Sequence, residues 1–321
     1  MPTYQDPFSR CKLCGQDGST PTYRLDKGEI YRCPHCDFHF LNQLDGNVDA
    51  EDAGLSSAGR RYIESRVAEG EHLHPLRLRL VQQHCSIDKA MTLDIGAGLG
   101  QFVRLMQQQG ATALGIEPST LRRAYALEAY GLELDHRLAD GGYWQNGHSQ
   151  SFDLITLWDV IEHVDDPRST LAAAATLLKP GGLICLDTPD REVFSYRLSQ
   201  IVNRLSSGTL PLFFSQFYST VRYGHKQIFT RRQITELLQD CGLVPAPVHL
   251  DGPAKRAFSG KIVLTARKPT PHSPLPTPHS PLPTPHSPLP TPHSLSPLTS
   301  NARYRGLPAS QQFCAIIFFN L

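Results

Sequence analysis

The chain has 321 residues, 31 Lys/Arg against 30 Asp/Glu, 40% hydrophobic residues and eight cysteines. That length holds one full-sized domain plus a small one. The formal charge of +1 gives no global basic field for nucleic acid. The opening residues Met-Pro-Thr-Tyr-Gln-Asp lack a basic, apolar leader pattern. Apolar runs are all too short to span a bilayer, including the terminal Cys314–Phe319 stretch. Four cysteines in a metal-type pattern and four scattered ones suit a reducing cytoplasm better than a disulfide framework.

Residues 1–42 read as a small zinc-ribbon module. Cys11 and Cys14 form one C-x-x-C knuckle, Cys33 and Cys36 a second, and 18 residues separate them. This is four-cysteine zinc spacing. Two knuckles close a tetrahedron of thiolates with no open position, so the ion is structural. A module this short buries too little apolar surface to fold alone, and metal binding supplies the missing free energy. A redox dithiol pair is the competing reading. His35 and His39 flank the second knuckle and read as bystanders. The module carries five basic residues (Arg10, Lys12, Arg24, Lys27, Arg32) and five acidic ones (Asp6, Asp17, Asp26, Glu29, Asp37). A nucleic-acid module needs a basic face. Packing, or shaping a substrate entrance, is the expected role.

Residues 43–84 read as a linker and N-terminal helices. Positions 43–58 are acidic and Gly/Ser-rich. Arg60 to Gln83 shows an imperfect helical stripe through Ile63, Val67, Leu73, Leu76, Leu80 and Val81. Gly70 and Pro75 are expected to break it in two.

Residues 85–268 alternate strands and helices, which implies a parallel sheet covered on both faces. Met91–Ile95 is a strand, Gly96-Ala-Gly98-Leu-Gly100 a tight turn, and Phe102, Val103, Leu105 and Met106 recur at helical spacing. Glycines admit a sharp turn and let a ligand approach the backbone. Leu114–Pro118 is a second short strand ending in Glu117, placed to bond ribose hydroxyls. Asp94 sits two residues before the first glycine. Phe152–Leu157 and Leu183–Leu186 read as strands four and five, the latter after a Lys179-Pro-Gly-Gly182 turn.

With Trp158-Asp159-Val-Ile-Glu-His-Val-Asp-Asp-Pro167 added, these ordered motifs resemble the class I S-adenosylmethionine-dependent methyltransferases over roughly residues 85–267. A nucleotide-binding domain for some other ligand is the plainer alternative. The resemblance implies a Rossmann-like methyltransferase sheet. It places Asp94, Gly96, Gly98, Gly100 and Glu117 around the cofactor. It sets Asp159 beside the methionine moiety, and Asp140, after a third strand at Gly131–Leu134, near the adenine. His163 falls on a helix behind Asp159, where it is either a base or a packing residue. His225, in Gly224-His-Lys-Gln-Ile-Phe-Thr230, closes a lid over the core.

Residues 188–224 carry seven large rings and read as that lid, an insertion whose rings mostly pack and in part face substrate. Thr230-Arg-Arg-Gln233 matches a capping box. Leu243-Val244 and Lys261–Arg267 read as closing antiparallel strands. From Pro269 a Pro-Thr-Pro-His-Ser-Pro-Leu repeat begins, with no acids to the end. Residues 269–321 are expected to be a disordered low-complexity tail.

The reaction expected is methyl transfer to a small or lipid-like acceptor, with oxygen as nucleophile and His163 or His225 as base. An RNA methyltransferase gripping its substrate through the ribbon, and a non-catalytic cofactor-binding protein, are the alternatives.

Overall fold

The computed structural model describes residues 6–46 and 57–270. The repeat tail and most of the acidic linker, and the expectations made for them, lie outside the described residues. In chain order the elements begin with β1 (Thr20–Leu25), β2 (Gly28–Arg32), β3 (His39–Leu41) and α1 (Ser57–Gln82). Then come β4 (Met91–Ile95), α2 (Gln101–Gln108), β5 (Thr112–Ile116), α3 (Thr120–Tyr130), α4 (Gly142–Gly147), β6 (Phe152–Trp158), α5 (Pro167–Leu177) and β7 (Leu178–Pro189). The insertion supplies α6 (Phe194–Leu205) and α7 (Phe214–Phe217). The chain closes with β8 (Gln227–Ile228), α8 (Arg231–Asp240), β9 (Val244–Ala246), α9 (Gly252–Ala257) and β10 (Lys261–Arg267).

The six-stranded sheet has the order β5-β4-β6-β7-β10-β9. β5, β4, β6 and β7 are parallel, and β10 is antiparallel to both β7 and β9. The chain steps outward from β4 to β5 and then returns to β6 on β4's other side. The β4/β6 boundary is therefore the topological switch point, where ligands sit at the carboxyl ends of strands.

Both faces of the sheet are buried, as alternating side chains require. Ile155, Leu157, Ile184 and Leu186 pack toward Leu171 and Ala174 of α5 and Ile234, Leu237 and Leu238 of α8. Leu154, Leu183, Cys185 and Val263 pack toward α1, α2 and α9 through Leu76, Leu80, Phe102, Met106 and Phe258. The capping box at α8 is complete. Thr230 Oγ1 accepts from the Gln233 N–H, and Gln233 Oε1 accepts from the Thr230 N–H.

Three local expectations need correction. α1 runs unbroken through Gly70 and Pro75. An interior proline costs about 3 kcal/mol. Burial of Leu73, Leu76, Leu80 and Val81 on the same helix outweighs it, at about 1.5–3 kcal/mol each. At Gly70 a Cβ would meet the tip of the Gln101 side chain, which would have to shift to admit it. The third strand is reduced to a single bridge, Ile116 to Asp135, because at the sheet edge β5 offers a partner on one side only. The loop after Asp140 contains the short helix α4, pinned by buried Trp144. β7 starts at Leu178, so the Lys-Pro-Gly-Gly turn is an irregularity inside a longer strand paired with β6 across a register shift.

The N-terminal sheet is not self-contained. Its order is β1-β2-β3-β8, so residues 227–228 provide the last strand, with His39 opposite Ile228 and Phe40 opposite Gln227. One face of this sheet, with Phe38 and Phe40, joins the core beside Phe229 and Ile234. The other, with Ile30, Leu41 and Ile228, packs against Tyr196, Phe214 and Tyr218 of the insertion.

Candidate functional site

The glycine turn after β4 has the expected form. Gly96, Gly98 and Gly100 all have positive φ, at 73°, 55° and 76°. The Gly96 and Ala97 N–H groups both donate to the Ile116 carbonyl at 2.8 Å, tying the turn to the end of β5. A Cβ at Gly96 would strike Val160 at 2.5 Å, whereas one at Gly98 would enter open space. Gly96 is thus fixed by packing and Gly98 leaves its backbone open to a ligand.

Glu117 is fully buried at the carboxyl end of β5. Its Oε2 accepts from the Gly98 N–H at 2.8 Å and its Oε1 from the Ser119 N–H at 2.9 Å, and Arg122 Nη1 lies 3.6 Å away. Burial raises its carboxyl above the ordinary range, against the pull of Arg122. Asp94 is buried on β4 and accepts from Thr156 Oγ1 at 2.6 Å. Burial pushes it up to about 7. An acid facing an open glycine backbone at the switch point fits a cofactor with ribose hydroxyls.

Asp159 sits in a left-handed conformation (φ 55°) just past β6. Its side chain belongs to a four-residue ion cluster. Arg77 donates from Nη2 to Asp159 at 2.6 Å, and from Nε and Nη2 to fully buried Asp187 at 2.9 Å each. Lys261 Nζ bonds both Asp159 oxygens. The Asp159 N–H closes the cluster on Asp187 Oδ1 at 2.8 Å. Burial alone would raise the Asp159 carboxyl, but Lys261 and Arg77 hold it below the usual range. Arg77, Asp187 and Lys261 escape a motif reading because they come from α1, β7 and β10. The one available signal is that Arg77 falls on the apolar stripe between Leu76 and Leu80. Asp140 is exposed and accepts from Ser169 Oγ on α5 at 2.9 Å.

His163 lies in a turn between β6 and α5 rather than on a helix, because Asp166 caps α5 only after it. Its ring lies against that of His225, with centroids 4.7 Å apart and the planes tilted by 59°. Glu162 Oε1 lies 3.8 Å from His163 Nε2 and 4.0 Å from His225 Nε2. That oxygen is buried without a hydrogen-bond partner, while Oε2 accepts from Thr188. The ligand atoms of all three residues lie within 4.8 Å of one another, a grouping compatible with one cation. Burial lowers His163 to about 3, and lowers His225 as well, so both imidazoles are neutral near pH 7. Burial raises Glu162 well above the carboxylate range, with Asp159 adding to it. A cavity of about 390 Å³ opens on His163 and His225, bounded by Ser119 and Arg122 on one side and by residues 215–224 on the other.

A family profile described as a methyltransferase domain matches residues 66–247. The chain belongs to this methyltransferase family. It is an S-adenosylmethionine-dependent enzyme of the Rossmann-like class, and Gly96, Gly98 and Glu117 stand where such a fold keeps its ligand. Among curated relatives, a "Ubiquinone biosynthesis O-methyltransferase" of Stutzerimonas stutzeri is 35% identical over 163 residues, 48% of this chain and 69% of the relative. One of the same name from Nitrosococcus oceani is 31% identical over 213 residues, 63% of this chain and 89% of the relative. A solved Thermotoga maritima methyltransferase covers 66% of this chain and 97% of its own, at 19% identity and TM-score 0.45.

Away from the cleft, the four cysteine sulfurs lie within 4.8 Å of one another, with Cys11–Cys36 and Cys14–Cys33 at 3.6 Å. Zn–S bonds of about 2.3 Å in a tetrahedron put sulfurs about 3.8 Å apart, so the donor set fits the ion. His39 takes no part. It is buried with Nδ1 2.8 Å from the Tyr196 hydroxyl, which in turn bonds the Tyr218 hydroxyl at 2.8 Å. No helix among the described residues is long and apolar enough to cross a membrane.

Proposed function

We propose that this methyltransferase acts on a hydroxyl of a small, lipid-like or ring-bearing acceptor held beneath residues 188–224, and that the N-terminal cysteines carry a structural zinc ion. The observation that carries the reading is the neutral His163–His225 pair facing the cavity. Removal of a hydroxyl proton needs an unprotonated base within reach, best with a pKa near the operating pH. Both imidazoles are unprotonated, but burial takes His163 to about 3 and leaves it a weak base, which favours His225. Glu162 Oε1 lies 3.8 Å and 4.0 Å from the two rings, beyond hydrogen-bond reach, and burial raises its carboxyl well above the usual range. The names of the relatives, which are O-methyltransferases, support an oxygen acceptor.

Bound S-adenosylmethionine would supply an electrophilic methyl group. Around it the chain's task is positioning. Gly96 and Gly98 present open backbone, Glu117 accepts from ribose hydroxyls, and Asp94, with Gly100, supports the turn from beneath. Asp159 acts through its backbone position, which the Arg77–Asp187–Lys261 cluster holds in a left-handed conformation. Asp140 belongs with Ser169 on α5. Tyr196 and Phe214 pack against the N-terminal sheet, Tyr218 both packs there and lines the cavity, and Tyr223 lines the cavity.

Zinc on Cys11, Cys14, Cys33 and Cys36 would brace the sheet that ends in β8, two residues beyond His225. Strands β3 and β8 of that sheet are buried between the core and the lid, which supports a packing role over a nucleic-acid grip. A cytoplasmic location suits these free thiols. The test is incubation with S-adenosylmethionine and a panel of catechols, phenols and sugars, read by mass spectrometry. Methyl gain on a hydroxyl supports the reading, and methyl gain only on nitrogen or carbon refutes it.

A further inference from the structure

The stretch after β3 reads as linker in the sequence, yet its first residues are built into the cleft. The Leu41 N–H donates to the Lys226 carbonyl at 2.7 Å, and Gln43 Nε2 donates to the Thr220 carbonyl. Asp45 then reaches in two directions. Its main chain meets the loop after β6, where the Asp45 and Gly46 N–H groups donate to the two Asp165 carboxylate oxygens at 2.9 and 3.0 Å. Its side chain meets the turn before β8. There Oδ2 accepts from the Tyr223 N–H at 2.8 Å, and Oδ1 pairs with Lys226 Nζ at 2.9 Å. Lys226 is fully buried and also donates from Nζ to the Val221 carbonyl at 2.9 Å. Asp165 stands two residues after His163, and Lys226 directly follows His225. One acid therefore joins the two loops that carry the paired imidazoles.

We propose that Asp45 is a positioning residue, which sets the His163–His225 pair for methyl transfer through Asp165, Tyr223 and Lys226. The proposal rests on the reading that a histidine of this pair is the base. Docking of the N-terminal sheet does not call for Asp45, because β3 already pairs with β8 through His39 and Phe40. The contacts of Asp45 fall on the histidine loops instead. Tyr223 has a positive φ of 55°, which a ring-bearing residue keeps only where its surroundings hold it. The Asp45 carboxylate bonds the N–H of that same residue. A buried ammonium needs a paired charge, and Asp45 provides it one residue from His225. The Lys226 N–H donates in turn to the Glu162 carbonyl at 2.8 Å, one residue before His163. A displaced Lys226 therefore moves both sides of the imidazole contact. Rings with centroids 4.7 Å apart leave little slack, and misplacing a reacting group by about 1 Å can cost 10²-fold in rate.

The test compares wild type, Asp45→Asn, Lys226→Met and the double variant as full chains, at a temperature where each is folded. Asp45→Asn keeps an acceptor for the Tyr223 N–H and loses the charge facing Lys226. Lys226→Met removes the same link without leaving a buried ammonium unpaired, so it carries the test where Asp45→Asn is unstable. Imidazole ¹⁵N–¹H spectra with S-adenosylhomocysteine bound read the rings directly. In both single variants the His163 and His225 resonances shift, and kcat with catechol as acceptor falls about 10²-fold. S-adenosylhomocysteine affinity stays at the wild-type value. The double variant falls no further than the worse single one, as two members of one linkage require. A role in stability alone would leave rings and kcat unchanged in the folded chain. Unmoved rings, or kcat within about twofold of wild type, in both single variants overturns the proposal. Rings that move, together with full activity in His163→Asn and His225→Asn, overturn the histidine-base reading instead and leave the positioning of the pair standing.

Discussion

Replacing Arg77 by Met removes the centre of the buried ion cluster while keeping much of the side-chain volume. Fully buried Asp187 then loses two bonds of 2.9 Å, and Asp159 loses one of 2.6 Å. Breaking a buried pair by deleting one partner costs about 3–5 kcal/mol. Lys261 Nζ, 3.7 Å from Asp187, stays and offsets part of this, so the expected loss is about 3–4 kcal/mol at pH 8. The sign of its pH dependence follows from Asp187. Burial already raises that carboxyl, and removing Arg77 raises it further. An acid whose folded pKa lies above its unfolded one costs nothing at low pH and progressively more as pH rises. The deficit therefore shrinks on acidification. Urea unfolding at pH 8 and pH 5.5 measures both, and Arg77→Met combined with Asp187→Leu should regain a large share of the loss. A deficit under about 1 kcal/mol, or one that grows on acidification, refutes the reasoning.

Three further outcomes are expected. Metal analysis of the purified chain should return about one zinc per molecule, and Cys33→Ser should lose it; folded, zinc-free wild type would sink the ribbon assignment. Asp94→Asn, measured without cofactor, should match wild type near pH 4 and exceed it above pH 7, by an amount on the order of 4 kcal/mol at most. The unfolded carboxyl ionises from about 4, whereas the folded one stays protonated to about 7; parallel stability–pH curves would exclude that cost. His163→Asn or His225→Asn should lower kcat by about 10²-fold with cofactor affinity retained. The acid limb of the wild-type rate profile should fall below pH 6.5, because burial lowers both imidazoles. Full activity in both variants would remove histidine from the chemistry.

What was legible in the amino-acid sequence was local. The Gly96–Gly100 turn, the two cysteine knuckles and the Thr230–Gln233 box each depend on residues a few positions apart, and each forms. The Arg77–Asp159–Asp187–Lys261 cluster depends on partners separated by up to 110 positions, so no motif announces it. The same holds for β8, a two-residue strand that exists only because β3 lies beside it. Helix α1 misleads in the opposite direction, since Pro75 is a true local breaker overruled by packing on both sides. The third strand fails because its residues sit at a sheet edge, where half the pairing that stabilises a strand is missing. His163 and His225 were each legible as candidates, and the structure adds that they meet each other and Glu162.

The central claim is that S-adenosylmethionine binds at Gly98 and Glu117. Calorimetric titration of the cofactor into wild type and Glu117→Gln tests it most directly. Glutamine keeps an acceptor for only one of the Gly98 and Ser119 N–H groups, so the free chain loses some stability, and it also loses the charge that would hold the ribose. A charge-assisted bond is worth about 1.5–3 kcal/mol, so affinity, measured at a temperature where both proteins are folded, should fall by roughly 10- to 150-fold. Unchanged affinity in Glu117→Gln would contradict the account.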